Sequence, residues 1–187
     1  TIVKTAVNQV MSNKALLSTE KTKRVTAINA SYNQVKDVIN SAINRDQVDT
    51  AVISPSLTAT ISTATNFDEI LNLDQQKKKA SDNLSQMIQP ILDWIQNNVN
   101  LNRSQKEQRI TNIQNALQRV QGNIDDAVDS DGITNASQDQ ILQDVVAVGK
   151  SESGIIPLSD QKVQAYSIIE STQNQAKSQD ISTDKEL

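Results

Sequence analysis

The chain has no cysteine and no histidine. The first absence excludes disulfides and thiol chemistry. The second removes the commonest general base near neutral pH and the commonest metal ligand. Zinc sites and Cys–His or Ser–His nucleophiles therefore have no residues to build on, and only carboxylate, Lys or Tyr chemistry is left. Aromatic residues make up 2% of the sequence, namely Tyr32, Phe67, Trp94 and Tyr166. A core here must be thin and aliphatic, and a large ligand cavity is not expected. No Gly-rich phosphate loop is present. No apolar run approaches the roughly 18 residues that span a bilayer, and Thr1 opens no signal-peptide pattern. The net charge of −4 and pI near 4.8 argue against a nucleic-acid surface, which needs clustered positive charge to displace counterions. Lys77-Lys78-Lys79 is the one dense basic spot and reads as a solvated helix face.

What the chain does contain is a plan stated twice. A single shift of the chain along itself, without a gap, pairs Lys21 with Lys106, Arg24 with Arg109, Ile28 with Ile113, Val35 with Val120 and Ile39 with Ile124. Further pairs exchange one aliphatic for another, as Val25 with Ile110, Val48 with Ile133 and Leu84 with Ile169. Such self-similarity is read before any fold class. It predicts an all-α chain of tandem three-helix bundles with an 85-residue repeat, elongated and rod-like. The units expected are 1–72, with its N-terminal helix partial, then 73–150, then 151–187 as the start of a third unit or a C-terminal capping helix. The chain opens in mid-helix and reads as an excised fragment.

Taken in order, Thr1 to Asn13 reads as a helix tail with Val3, Val7 and Val10 on one side. Ser18 or Thr19 is expected to cap a long helix to about Asn44, whose stripe of Val25, Ile28, Tyr32, Val35, Ile39 and Ala42 steps by three and four. A third element starts near Asp46 and is broken at Pro55; Leu57, Ile61 and Ala64 resume helical spacing. Asp74 is expected to cap a helix to about Asn98, bent at Pro90, with the widest apolar face in the chain. Ser104 to about Val128 restates the long seam, and a loop holding Gly132 leads to a short helix over Ser137–Val148. Gly149 and Gly154 punctuate a connector, and Ser159 caps a last helix that turns polar from Lys177. The closing Asp184-Lys185-Glu186-Leu187 exchanges the first two letters of an ER-retention signal and is taken as chance.

Candidate sites are few. Asp125, Asp126, Asp129 and Asp131 surround Gly132 as in a calcium loop, but that frame puts Ala127 first and Gln138 last, so two key oxygen ligands are missing. A plain acidic loop is the expectation, with no metal and no cofactor. Asp68-Glu69 has no second group to separate the two acidities, and the sequons at Asn29, Asn83, Asn102 and Asn135 are what an Asn/Ser-rich sequence yields by chance. Met87, Ile91 and Trp94 are the candidate interaction or junction residues. Trp is enriched at binding hot spots, although on this stripe Trp94 is expected in a junction core.

The repeated Leu-x-x-Glu/Gln-Lys opening (Leu17–Lys21, Leu73–Lys77, Leu158–Lys162) and the Ile-Asn/Asp-x-Ala step (Ile39–Ala42, Ile124–Ala127) resemble the three-helix repeats of giant Gram-positive surface adhesins. The resemblance covers both units. It implies an extracellular stalk or matrix-binding array on a cell wall, with no catalytic residues to carry over. A Cys-free chain rich in Ser, Thr, Asn and Gln fits that setting. The expectation is a non-enzymatic repeat module, monomeric within a longer chain, that binds a protein such as extracellular matrix by multivalency. No nucleic-acid or membrane partner is expected. The alternatives are a membrane-acting helical toxin or translocator component and a helical lipid-binding protein.

Overall fold

The computed structural model describes residues 2–183, with side chains described to residue 177. All regular structure among them is helical: α1 (Ile2–Ser12), α2 (Ser18–Ser41), α3 (Arg45–Val52), α4 (Pro55–Ala64), α5 (Leu73–Asn97), α6 (Arg103–Asp126), α7 (Ser130–Ser137), α8 (Gln140–Lys150) and α9 (Leu158–Thr183). α6 and α7 begin and end 85 residues after α2 and α3, and α9 begins 85 residues after α5. The tetrapeptide at 184–187 lies outside the described residues.

Helix boundaries follow capping chemistry, and several differ from the sequence expectation. Asn72, not Asp74, opens α5: Gln75 N–H donates to Asn72 Oδ1 at 2.9 Å and Asn72 N–H to Gln75 Oε1 at 3.0 Å. Asn102 and Gln105 make the same reciprocal pair before α6, both bonds at 2.9 Å, so that helix starts at Arg103. In each case a side-chain oxygen at the cap and a Gln three residues on satisfy two amides that have no partner inside a helix. Pro55 starts α4 instead of merely ending α3, since its ring fits the first helical position and Ser54 caps the turn. The expected loop around Gly132 is the helix α7, because Asp129 accepts Gly132 N–H at 2.8 Å and nucleates a turn that low propensity alone would not favour. Gly149 lies in α8 and not in a connector, and Ser159 is inside α9, its hydroxyl directed at Asp160. The helix α5 continues through Pro90. Among the described residues Gly154 alone takes a left-handed backbone (φ 75°), and it turns the connector before α9.

The chain divides into two compact units, Thr1–Gln86 with Leu117–Gln140 and Met87–Ala116 with Ile141–Leu187. In the first, α1, α2 and α4 pack on one another and α3 packs on α2. Their core is Ala6, Val10, Leu16, Ile28 and Ala64, with Val3, Val25, Ile61, Phe67 and Ile70 against it. Each fully buried Ile or Val contributes about 1.5–3 kcal/mol by leaving water. Arg24 locks this bundle. Its guanidinium sits 5.6 Å from the Phe67 ring centroid, bonds Glu20 Oε1 at 2.8 Å, and donates to the carbonyls of Ala64 (2.9 Å) and Asn66 (2.8 Å) that end α4. A cation at a helix C-terminus satisfies carbonyls that have no later amide to meet. Elsewhere in this unit the first half of α5 is bonded to the second half of α6 and to α7, where Leu84, Val120, Ile124 and Ile133 are buried.

In the second unit Ile88, Ile95, Leu101, Ile113 and Leu142 are buried. Arg109 donates to the carbonyls of Gly149 and Ser151, both at 2.8 Å, each 85 residues after Ala64 and Asn66. Here α8 comes so near α6 that a Cβ on Gly149 would stand 2.7 Å from Ile113 Cδ1, and that methyl would have to shift to admit a larger residue. Gln161 Nε2 binds the carbonyls of Asn100 (3.0 Å) and Ile156 (2.6 Å). In the first unit Gln76 Nε2 binds those of Ala15 (2.8 Å) and Leu71 (2.7 Å), donor and both acceptors each lying 85 residues earlier.

Candidate functional site

A trough of about 860 Å³ lies in the first unit, where the second half of α2 meets α3 and the start of α4. It exists because the stripe on α2 outruns its cover. Ile28 is fully buried, yet Val35 and Ile39 on the same face are half-buried and Val38 is 53% exposed. Two caps hold the far wall. Asn44 accepts Gln47 N–H at 2.9 Å while Gln47 Oε1 takes Ile43 N–H at 2.9 Å, turning the chain into α3. Ser54 then accepts Leu57 N–H at 3.5 Å to open α4. On the floor, Ser31 is buried and its hydroxyl has no hydrogen-bond partner. Gln34, Ser41, Ala42, Asp46, Thr50 and Ala51 also line it. Along α2 the lining mixes Val35, Val38 and Ala42 with Ser31, Gln34 and Ser41.

The residues singled out from the sequence lie elsewhere. Met87, Ile91 and Trp94 fall on one side of α5 at helical spacing, but Met87 is 56% exposed while Ile91 and Trp94 are half-buried. The buried line runs one position further on, through Leu84, Ile88 and Ile95. Trp94 is thus not a fully buried core residue. It borders a shallow depression of about 440 Å³ with Pro90, Asn97, Val99 and Glu152 in the second unit.

The acidic cluster serves helix ends. Asp129 caps α7, and Asp131 accepts Ser18 N–H with both carboxylate oxygens, at 3.2 and 3.0 Å, which supplies α2 with the cap that Leu17 cannot. No group of three or more His, Cys, Asp or Glu side chains able to hold a metal occurs among the described residues. The lysine run is divided between two tasks: Lys77 Nζ donates to the Asp125 carbonyl at 2.6 Å near the end of α6, and Lys78 pairs with Asp82 at 2.8 Å. Asp68 lies in the turn after α4, its amide bonded to Asn66 Oδ1 at 2.9 Å. Sequence reasoning passed over the trough. Its signal was a stripe on α2 longer than any partner that the preceding helix could provide. Among the described residues no helix is long and apolar enough to cross a membrane.

Comparison of the chain with family models, curated proteins and solved structures gave no match.

Proposed function

We propose that this chain is a tandem array of an 85-residue helical unit that acts without catalysis, as an extracellular stalk or matrix-binding module working through multivalent contacts. The observation that carries the repeat is the paired arginine clamp. Arg24 and Arg109 each close the C-terminus of a short helix by donating to two carbonyls, and every partner is displaced by the same repeat length. The buried Ile28 and Ile113 and the twin glutamine anchors Gln76 and Gln161 support the same reading.

A unit that repeats has its use in number: linking many weak sites on one chain raises avidity about 10²–10⁴-fold without a strong single contact. Helices of 24 to 26 residues are about 36–39 Å long at 1.5 Å per residue, and an extended particle in small-angle scattering is the companion expectation. The test is binding of the single chain and of its two- and four-copy concatemers to immobilised matrix proteins. The dissociation rate should fall steeply with copy number. Absence of binding at every valency sinks the adhesive part of the proposal, and leakage of liposomes would favour the membrane-acting alternative instead.

A further inference from the structure

We infer that the trough between α2, α3 and α4 is a binding site for a short, neutral oligosaccharide. The inference deepens the binding-module reading and, as to purpose, rests on it. All three walls belong to the first unit. On α2 the trough uses Ser31, Gln34, Val35, Val38, Ser41 and Ala42, which share one side at about 3.6 residues per turn, while Lys36, Ile39 and Asn40 lie on the other. Its volume of about 860 Å³ falls within the roughly 300–1,000 Å³ of small-molecule sites.

Ser31 marks the floor as a place for a ligand. Its side chain is 6% exposed, and among the described residues its hydroxyl has no hydrogen-bond partner. Burying a hydroxyl unpaired costs free energy, which a ligand oxygen in the trough would offset. The residue 85 positions further on is Ala116, just as buried, so packing at such a place does not call for a hydroxyl. The rim differs in the same direction. Gln34 and Ser54 fall on Arg119 and Asp139, whose side chains bond at 2.6 Å between α6 and the residue before α8. There an ion pair ties the two walls together. Across the trough an amide and a hydroxyl stand in its stead.

The polar groups of the rim select the ligand. Asn44 Oδ1 takes Gln47 N–H and Gln47 Oε1 takes Ile43 N–H, both at 2.9 Å. The caps thus occupy both amide oxygens and leave two NH2 groups that bond nothing among the described residues. Asp46 is the one charged side chain in the lining and adds acceptor oxygens, and Val35, Val38, Ala51 and Pro55 lie between these groups. A sugar hydroxyl both donates and accepts. Its oxygens can meet the NH2 groups, Ser31 and Asp46, while the C–H face of its ring packs on the aliphatic side chains. An acyl chain would leave the amides and the Ser31 hydroxyl unsatisfied, and an anion would face Asp46 with no cation in the lining to hold it.

Methyl-resolved NMR of the whole chain, titrated with a panel of neutral di- to tetrasaccharides, tests this. At least one saccharide should move the Val35, Val38, Ala42 and Ala51 methyls saturably, with a Kd of up to about 10 mM. Ser31→Ala should weaken that binding about fivefold, even as it stabilises the fold. Gln34→Arg with Ser54→Asp writes the later ion pair into the trough while keeping a capping oxygen, and should abolish the shifts. Lys36→Gln, on the other side of α2, should leave the affinity unchanged. No saturable shift with any saccharide overturns the proposal, as does full affinity in both Ser31→Ala and the double variant. Shifts of these methyls with phosphatidylcholine vesicles or an amphipathic helical peptide, and with no saccharide, overturn it too. Should the double variant lose helical circular dichroism, Ser31→Ala decides alone. Saccharide binding by a chain whose concatemers ignore matrix proteins sinks the matrix reading and upholds the site. Concatemers that hold matrix proteins while the single chain ignores every saccharide sink the site and leave that reading standing.

Discussion

Asp131 caps a helix that begins far before it in the chain, its carboxylate taking the Ser18 amide at 3.0 Å and the Ser18 hydroxyl at 3.3 Å. The residue that precedes α2 is Leu17, which has no side-chain oxygen to offer. The start of α2 thus depends on α7 being folded. Asp131→Ala is expected to cost about 1 kcal/mol, the usual loss for a capping oxygen, and Asp131→Asn less. Asp46→Ala, at the equivalent place on α3, should change the isolated chain by less than about 0.5 kcal/mol. Urea denaturation followed by helical circular dichroism reads all three.

The two arginine clamps make a matched pair. Removing either guanidinium leaves two helix-terminal carbonyls without their donor, and bonds to charged groups are worth about 1.5–3 kcal/mol. Arg24→Met and Arg109→Met should therefore destabilise by similar amounts, and lysine should rescue only in part because its ammonium lacks the planar fork. Differential denaturation of the single and double variants measures this. A clamp that can be deleted at no cost would contradict the assignment.

Acid should unpick one side of the first clamp. The hydrogen bond from Arg24 holds the Glu20 carboxyl below its ordinary value near 4.5. A lowered acid gives stability that is present above its unfolded value and is lost as pH falls through the lower folded value. A carbon-13 titration of Glu20 should show a midpoint below the ordinary one, moving back toward it in Arg24→Met. Glu20 is partly exposed, and the change should shrink with added salt.

Ser31 is the natural place to gain stability. Its hydroxyl is buried without a partner among the described residues, and Ala116, 85 residues further on, is equally buried. Ser31→Ala should stabilise by about 1 kcal/mol, through relief of an unpaired polar group and better helix propensity. A rise in the urea midpoint at unchanged slope checks it, and a fall would mean that the hydroxyl has a use in the trough.

The helices and their seams were legible in the order of residues, because an aliphatic stripe at steps of three and four has few other ways to be buried. Ile28 and Ile113, 85 residues apart, both lie at 0% exposure. The caps were less readable. Asn72 and Asn102 stand within two residues of Asp74 and Ser104, and nothing local says which of two good capping residues will turn extended. The helix α7 was hidden by Gly132, whose low propensity is outweighed by the Asp129 cap and by the bonds from Ser130 to the carbonyls of Lys14 and Ala15. Such bonds to a distant segment leave no trace in spacing. Met87 fits the dry face by residue type, yet the helix turns Ile88 inward in its stead. The trough, too, depends on where other helices stop.

Gln76 uses both ends of its amide at once, the nitrogen on the carbonyls of Ala15 and Leu71 and the oxygen on the Ser130 hydroxyl. Slow hydrolysis of that one amide would leave a carboxylate of nearly the same shape facing two carbonyl oxygens. A change of a single atom, invisible to the hydrophobic core, would then set like against like where three segments meet. Chemical ageing at this spot would loosen the first unit long before its aliphatic interior had any cause to yield.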